Sequence, residues 1–422
     1  MSFKFVDLFA GIGGFHIALS DLGGTCVFAS EIDEAAQSIY RKNFEHEMKG
    51  PIVGDIIPLT EKTVSKLIPK HDVLAAGFPC QPFSKSGAQL GMDETRGTLF
   101  YNIAKIIEKR KPRIIILENV RNLTGPKHRH TWALILRVLR DLGYHVSDIP
   151  TIISPHQISP SDGGAPQARD RVYIIGVLVG KQKAWKLADE PFVFDRNNLN
   201  GWKPSNWNLI EDLLQKDKEI ESIDSYKVSE ERLHVIEIWE DFLKSVGAKK
   251  GKRLPGFPLW ESSMLQKPKL TKSMPDWKID FLKKNSAFYV DNKKAIDSWR
   301  KRHKDILKLN NSYRKFEWQA QDMSSVWDGV IQFRPSGVRV KKADYLPALV
   351  AMNQTSIIGK RKRTITVREA ARLQAFPEDF SFFDQNPSKS FKQLGNAVSV
   401  GTVKFVLSSV LENLDVTLNT KD

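Results

Sequence analysis

A cysteine with the surroundings of a nucleophile is the most informative residue of this sequence. Cys80 stands in the run Gly77–Ser84 (GFPCQPFS), directly after the mostly apolar run Asp72–Ala76. Two prolines stiffen the turn around the thiol and would present it at the end of a buried strand, positioned to attack an electrophilic atom. An unpaired cysteine is more often a small buried hydrophobe. Other segments of the chain therefore have to decide between the two interpretations.

A carboxylate and two guanidinium groups offer further chemistry. Glu118 ends the apolar run Ile114–Leu117, and poor solvation there would raise its pKa and let it donate a proton. Its alternative is a helix cap or a surface carboxylate. Arg169 and Arg171 precede an apolar run and alternate onto one strand face, where they suit a phosphate, a carboxylate or a polar base edge. Their alternative is a salt-bridged, exposed edge.

A glycine loop follows the first apolar run of the chain. Residues 7–15 (DLFAGIGGF) lie between a predicted strand and a predicted helix, as a nucleotide-type cofactor loop does. His16 occupies the position of the third glycine of the dinucleotide fingerprint, which disfavours a nicotinamide oxidoreductase. Glu31, after the second strand, could accept hydrogen bonds from a ribose diol, and Asp55 is a weaker candidate of the same kind. Solvated surface carboxylates are the alternative for both.

Strand-like runs that alternate with amphipathic helical runs predict a doubly wound, mostly parallel α/β sheet. The predicted strands are Lys4–Phe9, Cys26–Ser30, Asp72–Ala76, Arg113–Leu117 and Val172–Val179, and the predicted helices are Asp33–Phe44, Leu99–Lys109 and Trp132–Leu142. Ligands of such sheets bind at the carboxyl ends of the strands. We therefore expect Phe9, Glu31, Cys80 and Glu118 to meet at one crevice.

The composition changes after the first domain, which we place at residues 1–180. Residues 181–345 contain nine of the ten tryptophans and basic clusters at 249–253 and 300–304, and they predict an inserted second domain. One clear helix, 235–243, follows Ser229 as its predicted N-cap. Residues 346–422 regain α/β signals in 366–376 and 396–414, and we expect them to return to the first domain.

The overall composition narrows the class of protein. The 422 residues include 64 Lys and Arg against 49 Asp and Glu, a net charge of +15, which indicates a polyanionic partner. Cys26 and Cys80 are the only cysteines, so neither a disulfide framework nor a cysteine metal cluster is expected. The sequence shows neither a signal-peptide pattern nor an apolar run of membrane-spanning length. These features predict a soluble protein of the cytoplasm.

Six segments in a fixed order resemble the DNA cytosine-5 methyltransferase family of bacterial restriction-modification systems. The segments are 5–14, 77–84, 118–120, 167–171, 366–374 and 395–398. The resemblance implies a Rossmann-like fold that uses S-adenosylmethionine, with residues 181–345 where the family carries its target recognition domain. It also implies methyl transfer to C5 of cytosine in double-stranded DNA, without a metal.

The resemblance further implies a role for each motif residue. Cys80 would attack C6 of the base, Glu118 would serve as proton donor and partner of N3 and the exocyclic amine, Arg171 would bind O2, and Arg169 would support the loop and the base. The implied cofactor contacts are Phe9, Gly11 and Gly13 for the methionine and adenosyl parts, Glu31 for the ribose, Asp55 for the adenine amine, and Asn396 and Val398 for the methionine end.

DNA binding is the remaining expectation. A target base inside a duplex has to be flipped out, at a cost of a few kcal/mol, and the loop 84–97, with Ser84 and Ser86, is a candidate lid on DNA. Arg334 and Arg339 lie in the basic run 333–342, which either reads guanine in the major groove or anchors backbone phosphates. The run faintly resembles family members with GC-rich palindromic targets.

Two alternatives stay open from the sequence. A branch of the same family methylates cytosine in tRNA and shares the Pro-Cys-Gln segment, although the long basic, Trp-rich insertion suits a duplex. A non-catalytic DNA-binding relative is the second alternative, which the intact Cys80, Glu118 and Arg171 argue against. We expect a nucleoid-associated monomer whose cognate restriction endonuclease acts on the same site without binding this chain.

Overall fold

The chain divides into two compact units. The computed structural model describes residues 2–62, 64–79, 98–191, 201–247, 254–349 and 355–413. The first unit comprises Met1–Asn206, Ala348–Met352 and Ala370–Asp422, and the second comprises Trp207–Pro347 and Asn353–Glu369.

The boundaries of these units differ from the predicted 180/181 and 345/346. Residues after 180 continue the first unit, since Ala184 is fully buried there and the backbone N–H of Trp202 donates to the backbone carbonyl of His156 at 3.1 Å. At the other end, Ile357–Ile358 and Arg363–Thr364 add strands to the sheet of the second unit. Backbone pairing between distant segments sets these boundaries, and a change of composition does not report it.

The first unit begins with alternating strands and helices. They are β1 (Phe3–Leu8), α1 (Gly14–Asp21), β2 (Gly24–Ser30), α2 (Glu34–Phe44), β3 (Ile52–Val53), α3 (Ile57–Lys62), α4 (Val64–Leu67), β4 (Val73–Gly77), α5 (Leu99–Arg110), β5 (Ile114–Val120), α6 (Arg129–Asp141), β6 (Tyr144–His145), β7 (Thr151–Ile153), β8 (Gln167–Ala168), β9 (Arg171–Leu178) and α7 (Lys181–Lys186).

The main sheet confirms the predicted doubly wound fold. Its order is β3-β2-β1-β4-β5-β9-β6, and β7 also pairs with β9. The strands from β3 to β5 are parallel, whereas β9 runs antiparallel to β5. The four isoleucine and leucine residues that open β5 are all buried, because helices cover both faces of a parallel sheet. Strand direction at β9 was not specified by the alternating pattern.

The predicted helices lie where the capping residues place them. Asp33 caps α2 through its carboxylate, which accepts from the Ala36 N–H at 3.0 Å, and Thr98 occupies the same position before α5. The third predicted helix begins three residues earlier than expected, at Arg129.

The elements that follow α7 form the second unit and then return to the first. They are α8 (Glu230–Val246), β10 (Leu259–Trp260), α9 (Asp276–Asp291), α10 (Lys293–Arg302), β11 (Lys315–Gln319), β12 (Val330–Arg334), β13 (Gly337–Lys341), β14 (Leu346–Pro347), β15 (Ile357–Ile358), β16 (Arg363–Thr364), α11 (Val367–Leu373), α12 (Pro387–Asn396) and α13 (Val400–Asn413). The second sheet has the order β10-β11-β13-β12-β15-β16, and the sequence pattern predicted neither this sheet nor α9.

The tryptophans of the second unit mainly build its core. Trp239 and Trp299 are fully buried, and the ring of Trp239 stacks on Phe316 with centroids 4.8 Å apart. Each indole N–H meets a backbone carbonyl, which is how buried tryptophan satisfies its polar atom. Tryptophan content therefore reflects a hydrophobic core here and gives no support to the interpretation that it serves duplex recognition. The predicted helix is α8, but Ser229 makes no side-chain capping bond.

One stretch of the described residues, Pro387–Glu412, has the length and hydropathy of a membrane span. It consists of α12 and α13, and 67% of its most apolar window is buried inside the protein. Helix α13 packs on α1. This stretch is therefore accounted for as part of the core of the first unit.

Candidate active site

A cavity of about 550 Å³ lies at the carboxyl ends of β1, β2, β4 and β5. Its wall includes nine of the residues predicted for the site: Phe9, Gly11, Glu31, Asp55, Glu118, Arg169, Arg171, Asn396 and Val398. The predicted meeting of separate strand ends is thus confirmed for the described residues. All of the lining residues belong to the first unit.

The loop after β1 has a backbone that glycine makes possible. Gly11 and Gly13 have φ values of 55° and 94°, and Phe9 adopts φ 56° despite its side chain. Gly13 is not among the residues that line the cavity, and its cofactor contact stays a prediction. A Cβ atom there would lie 2.2 Å from the ring of Phe44, so this glycine permits the close start of α1.

Glu31 ties the glycine loop to the start of α2. Its Oε2 accepts a hydrogen bond from the Gly11 N–H and its Oε1 accepts one from the Asp33 N–H, both at 2.8 Å. Each carboxylate oxygen keeps a second lone pair for a ligand hydroxyl. Asp55 accepts from the Ile57 N–H at 2.9 Å in the same wall.

The C-terminal segment closes the other side of the cavity. Asn396 is exposed and Val398 is buried. A Cβ atom on Gly14 would lie 2.8 Å from Val398 Cγ2 and 2.9 Å from its carbonyl oxygen. Only glycine fits at the first residue of α1, and the two segments together form a narrow wall.

Glu118 and Arg171 form an ion pair in the cavity, with Arg171 Nε 3.0 Å from Glu118 Oε1. The antiparallel register pairs Glu118 with Tyr173 and Val120 with Arg171, so Glu118 and Arg171 are diagonal neighbours on β5 and β9. Burial raises the pKa of Glu118 above its ordinary value, while Arg171 and Arg169 oppose the rise. The site therefore places a buried carboxyl group with a raised pKa next to a cation.

Arg169 is buried and binds backbone rather than open space. Its guanidinium donates to the carbonyls of Leu349, Gly395 and Ala397 at 2.7, 2.9 and 2.9 Å. Burial lowers the pKa of Arg169 to about 9, with a further contribution from Arg171. The side chain remains protonated at neutral pH and fastens the C-terminal segment to the site.

Three predicted residues, Cys80, Ser84 and Ser86, lie outside the described residues. The residues that directly precede Cys80 line the cavity, namely Gly77, Phe78 and Pro79. The Asn119 side chain donates to the Phe78 carbonyl at 2.8 Å and accepts from the Val120 N–H at 2.8 Å. Asn119 was not among the residues predicted for the site, although its place between Glu118 and Val120 in a motif was a usable signal.

A buried polar group beneath the glycine loop was also missed. His16 bonds to the Tyr40 hydroxyl at 2.7 Å and stacks on Phe44, and burial lowers its pKa to about 4. Burial, together with the charge of Glu31, raises the pKa of Asp7 well above its usual range. Burial therefore disfavours the charged form of both groups.

Arg334 and Arg339 lie in the second unit, on β12 and β13. Both approach Glu317, at 3.6 and 2.9 Å. Within the described part of the chain, His, Cys, Asp and Glu side chains form no group of three or more that could hold a metal ion.

The sheet order and the position of the cavity are those of a Rossmann-like α/β fold, in which nucleoside-type cofactors commonly bind at this place. S-adenosylmethionine fits the residues present. Glu31 offers carboxylate oxygens to a ribose, and Gly11, Asp55 and Val398 line the same cavity.

Comparison with known proteins identifies the family. Residues 3–412 match the C-5 cytosine-specific DNA methylases, and the chain belongs to this family. Type II methyltransferase M.AluI of Cellulosimicrobium cellulans is 38% identical, over 96% of this chain and 91% of that protein. M.HgiCI of Herpetosiphon aurantiacus is 30% identical, over 98% of this chain and 99% of that protein. M.DsaV of Dactylococcopsis salina is 30% identical, over 99% of this chain and 89% of that protein.

The predicted class of enzyme is confirmed by this membership. The chain is a DNA cytosine-5 methyltransferase of the bacterial restriction-modification type, and its family generally uses S-adenosylmethionine. The alternative of a non-catalytic relative is thereby set aside, and the family description favours DNA over tRNA.

Proposed function

We propose that the enzyme methylates C5 of one cytosine within a specific sequence of double-stranded DNA and so protects its host from a cognate endonuclease. The observation that carries the proposal is the Glu118–Arg171 ion pair, which shares one cavity with Glu31. A polar base edge and a nucleoside cofactor can then meet in that cavity. The target cytosine leaves the base stack to reach it. The enzyme acts as a monomer in the cytoplasm, with DNA as its partner.

Residues at the glycine loop would hold S-adenosylmethionine. Glu31 would bind the ribose hydroxyls and Asp55 the adenine amine, while Phe9 and Gly11 would border the adenosyl and methionine parts. Asn396 and Val398 would border the methionine end. When bound, S-adenosylmethionine supplies the electrophilic methyl group that C5 takes up, and leaves as S-adenosylhomocysteine.

The reaction on the base is covalent and needs no metal. The Cys80 thiolate forms a bond to C6, and the electron pair of the C5–C6 double bond becomes available at C5 for methylation. Glu118 donates a proton or a hydrogen bond to N3 and accepts from the exocyclic amine, and Arg171 binds O2. Loss of the C5 proton to a base then restores the double bond and expels Cys80.

The two units divide the work. Arg169 positions the C-terminal segment and does not contact the base. The second unit selects the DNA sequence through Arg334 and Arg339, and Ser84 and Ser86 contact DNA near the target base. Segregation of the cavity in the first unit and of both arginines in the second supports this division.

Covalent trapping tests the mechanism. A duplex that contains 5-fluorocytosine at the target permits attack and methylation, but fluorine cannot leave as a proton does. We expect a protein–DNA complex that survives denaturation, only when S-adenosylmethionine is present, and methylation of duplex DNA but not of tRNA. Cys80→Ala should abolish both trapping and turnover while cofactor binding persists.

Cys26 is the matched control. It is buried, and burial raises the pKa of its thiol to about 12, so it has no accessible thiolate. Cys26→Ala should trap on DNA as the wild type does. Near-normal methylation by Cys80→Ala would overturn the covalent mechanism.

A further inference from the structure

One face of the second sheet carries a row of polar side chains. In the three central strands, Phe316, Val338 and Ile331 point into the hydrophobic core of the unit. Because strand residues alternate between faces, their neighbours Glu317, Arg339 and Gln332 lie on the opposite face. The strand register pairs Glu317 with Arg339 and Arg339 with Gln332, so the three side chains stand side by side across β11, β13 and β12.

Glu317 holds Arg339 at one end of its guanidinium. Arg339 Nε donates to Glu317 Oε2 at 2.9 Å, and Gln319 donates to the other oxygen of the same carboxylate. The side chains of Glu317 and Arg339 are 16% and 22% exposed. No hydrogen bond between a described residue and the two terminal nitrogens of Arg339 is present in the structure. The guanidinium is therefore fixed through Nε and presents its terminal pair of donors.

The charge of this face is not balanced. Glu317 is the acidic member of the row, whereas Arg334, Arg339 and Lys341 are cationic. Burial, with the charge of Arg339, lowers the pKa of both Arg334 and Lys341. Arg334 Nη1 is buried and lacks a hydrogen-bond partner among the described residues. A partner rich in hydrogen-bond acceptors would relieve this crowding of cations.

We propose that Glu317 and Arg339 form a base-reading pair, in which Glu317 positions the Arg339 guanidinium and Arg339 recognises a guanine of the target site. The inference rests on the proposed function and adds to it a positioning residue, Glu317, and a base identity. Guanine presents O6 and N7 in the major groove, and the paired terminal nitrogens of arginine match them.

The fixed geometry decides between base reading and phosphate anchoring. A contact to phosphate carries no sequence information and does not require the side chain to be aimed at one base. Arg339 is instead held at the centre of a sheet by a carboxylate, which lowers the conformational entropy that binding would cost. A planar guanidinium held in this way can discriminate between bases, whereas a mobile one cannot.

The experiment compares methylation across a panel of duplexes. The target of the wild type is first mapped by methylation-sensitive sequencing, and kcat/KM is then measured on the target and on duplexes with each base pair replaced in turn. Arg339→Ala and Arg339→Lys should reduce discrimination at one G·C pair by roughly 5- to 150-fold. Lysine keeps the charge but loses the bidentate geometry, so it separates base reading from charge.

Glu317→Ala should lose discrimination at the same base pair, because Arg339 is then no longer positioned. The double variant Glu317→Ala/Arg339→Ala should discriminate no worse than Arg339→Ala alone, since the two residues act as one unit. Lys284→Ala is the control. Its ion pair is with Asp280 on α9, at 2.7 Å and outside the sheet, and discrimination should be unchanged.

Several outcomes would overturn the inference. Equal losses of kcat/KM on every duplex would identify Arg339 as a phosphate anchor, and independent, additive effects of the two substitutions would remove the positioning role of Glu317. Both results leave sequence-specific methylation by the wild type intact, so they contradict this inference alone. A wild-type protein that methylates no duplex would contradict the proposed function itself.

Discussion

Glu118 shows how a single residue acquires its chemistry from its surroundings. The carboxyl group ends a buried strand, where desolvation favours the protonated form, and Arg171 opposes this at 3.0 Å. Burial therefore makes this carboxyl group easier to protonate than a surface carboxyl group, next to a cationic group. A surface glutamate would be ionised at neutral pH and could not donate.

Replacing this carboxyl group should slow catalysis without weakening the binding of the cofactor. Glu118→Gln retains the shape and a hydrogen-bond donor but has no proton to transfer, so we expect turnover to fall by roughly 10²- to 10⁴-fold. S-adenosylmethionine affinity, measured by calorimetry, should change little. The wild-type rate should decline as pH rises through the raised pKa of Glu118, and this decline should be absent in the variant. An identical pH profile for both proteins would argue against a proton-donor role.

Asp7 makes a prediction about stability. Its pKa is higher in the folded state than its usual value of 3.8. The contribution of Asp7 to the free energy of unfolding is therefore complete when the pH is below this usual value, and it is lost as the pH rises through the pKa of the folded state. Asp7→Asn mimics the protonated form at all pH values. The stability of the variant relative to wild type should therefore increase with pH, by up to about 1.4 kcal/mol per pH unit. Urea unfolding at pH 5 and pH 8 measures the difference, and a difference that is independent of pH would contradict it.

Arg169 shows how one side chain organises an element. The sequence motif Gln167–Arg171 marks this arginine as functional, but its three acceptors come from residues about 180 and 230 positions away. The guanidinium joins the start of β9 to the segment that precedes α13. The segment that carries Asn396 and Val398 depends on this connection for its place in the cavity wall.

Removal of Arg169 should destabilise this segment. Arg169→Ala leaves three buried carbonyls without a charged donor, and we expect a loss of roughly 2–4 kcal/mol in the free energy of unfolding. Cofactor affinity should fall as well. Arg121→Ala is the control, because Arg121 is 65% exposed in its ion pair with Asp170 and should cost less than about 1 kcal/mol. Equal effects of the two substitutions, measured by urea unfolding, would contradict this stabilising role of Arg169.

At the scale of the whole molecule, the excess of positive charge matches a polyanionic substrate. Most of the net charge of +15 over 422 residues falls within the second unit. Non-specific binding of such a protein to DNA comes largely from the release of counterions at phosphates. Charge of this kind contributes affinity for any duplex and leaves the choice of sequence to particular side chains.

DNA affinity should therefore fall steeply with salt. Each phosphate contact adds roughly 0.9 to the slope of log affinity against log salt concentration. Fluorescence anisotropy with a labelled duplex would measure this slope over the range in which such proteins lose most of their affinity, roughly 50 to 200 mM salt. Affinity that stays constant over this range would show that electrostatic contacts do not dominate binding.

The sequence by itself determined the local features of this protein. Apolar runs, glycine positions and capping residues predicted β1, β2, β4 and β5, and the residues after these strands were correctly expected to share a cavity, because parallel strands end at one edge of a sheet. Tertiary structure alone decided the direction of β9, the connection of Arg169 to distant carbonyls and the burial of Trp239. These features depend on contacts between residues far apart in the chain, and neither periodicity nor composition encodes which distant segments will pack together.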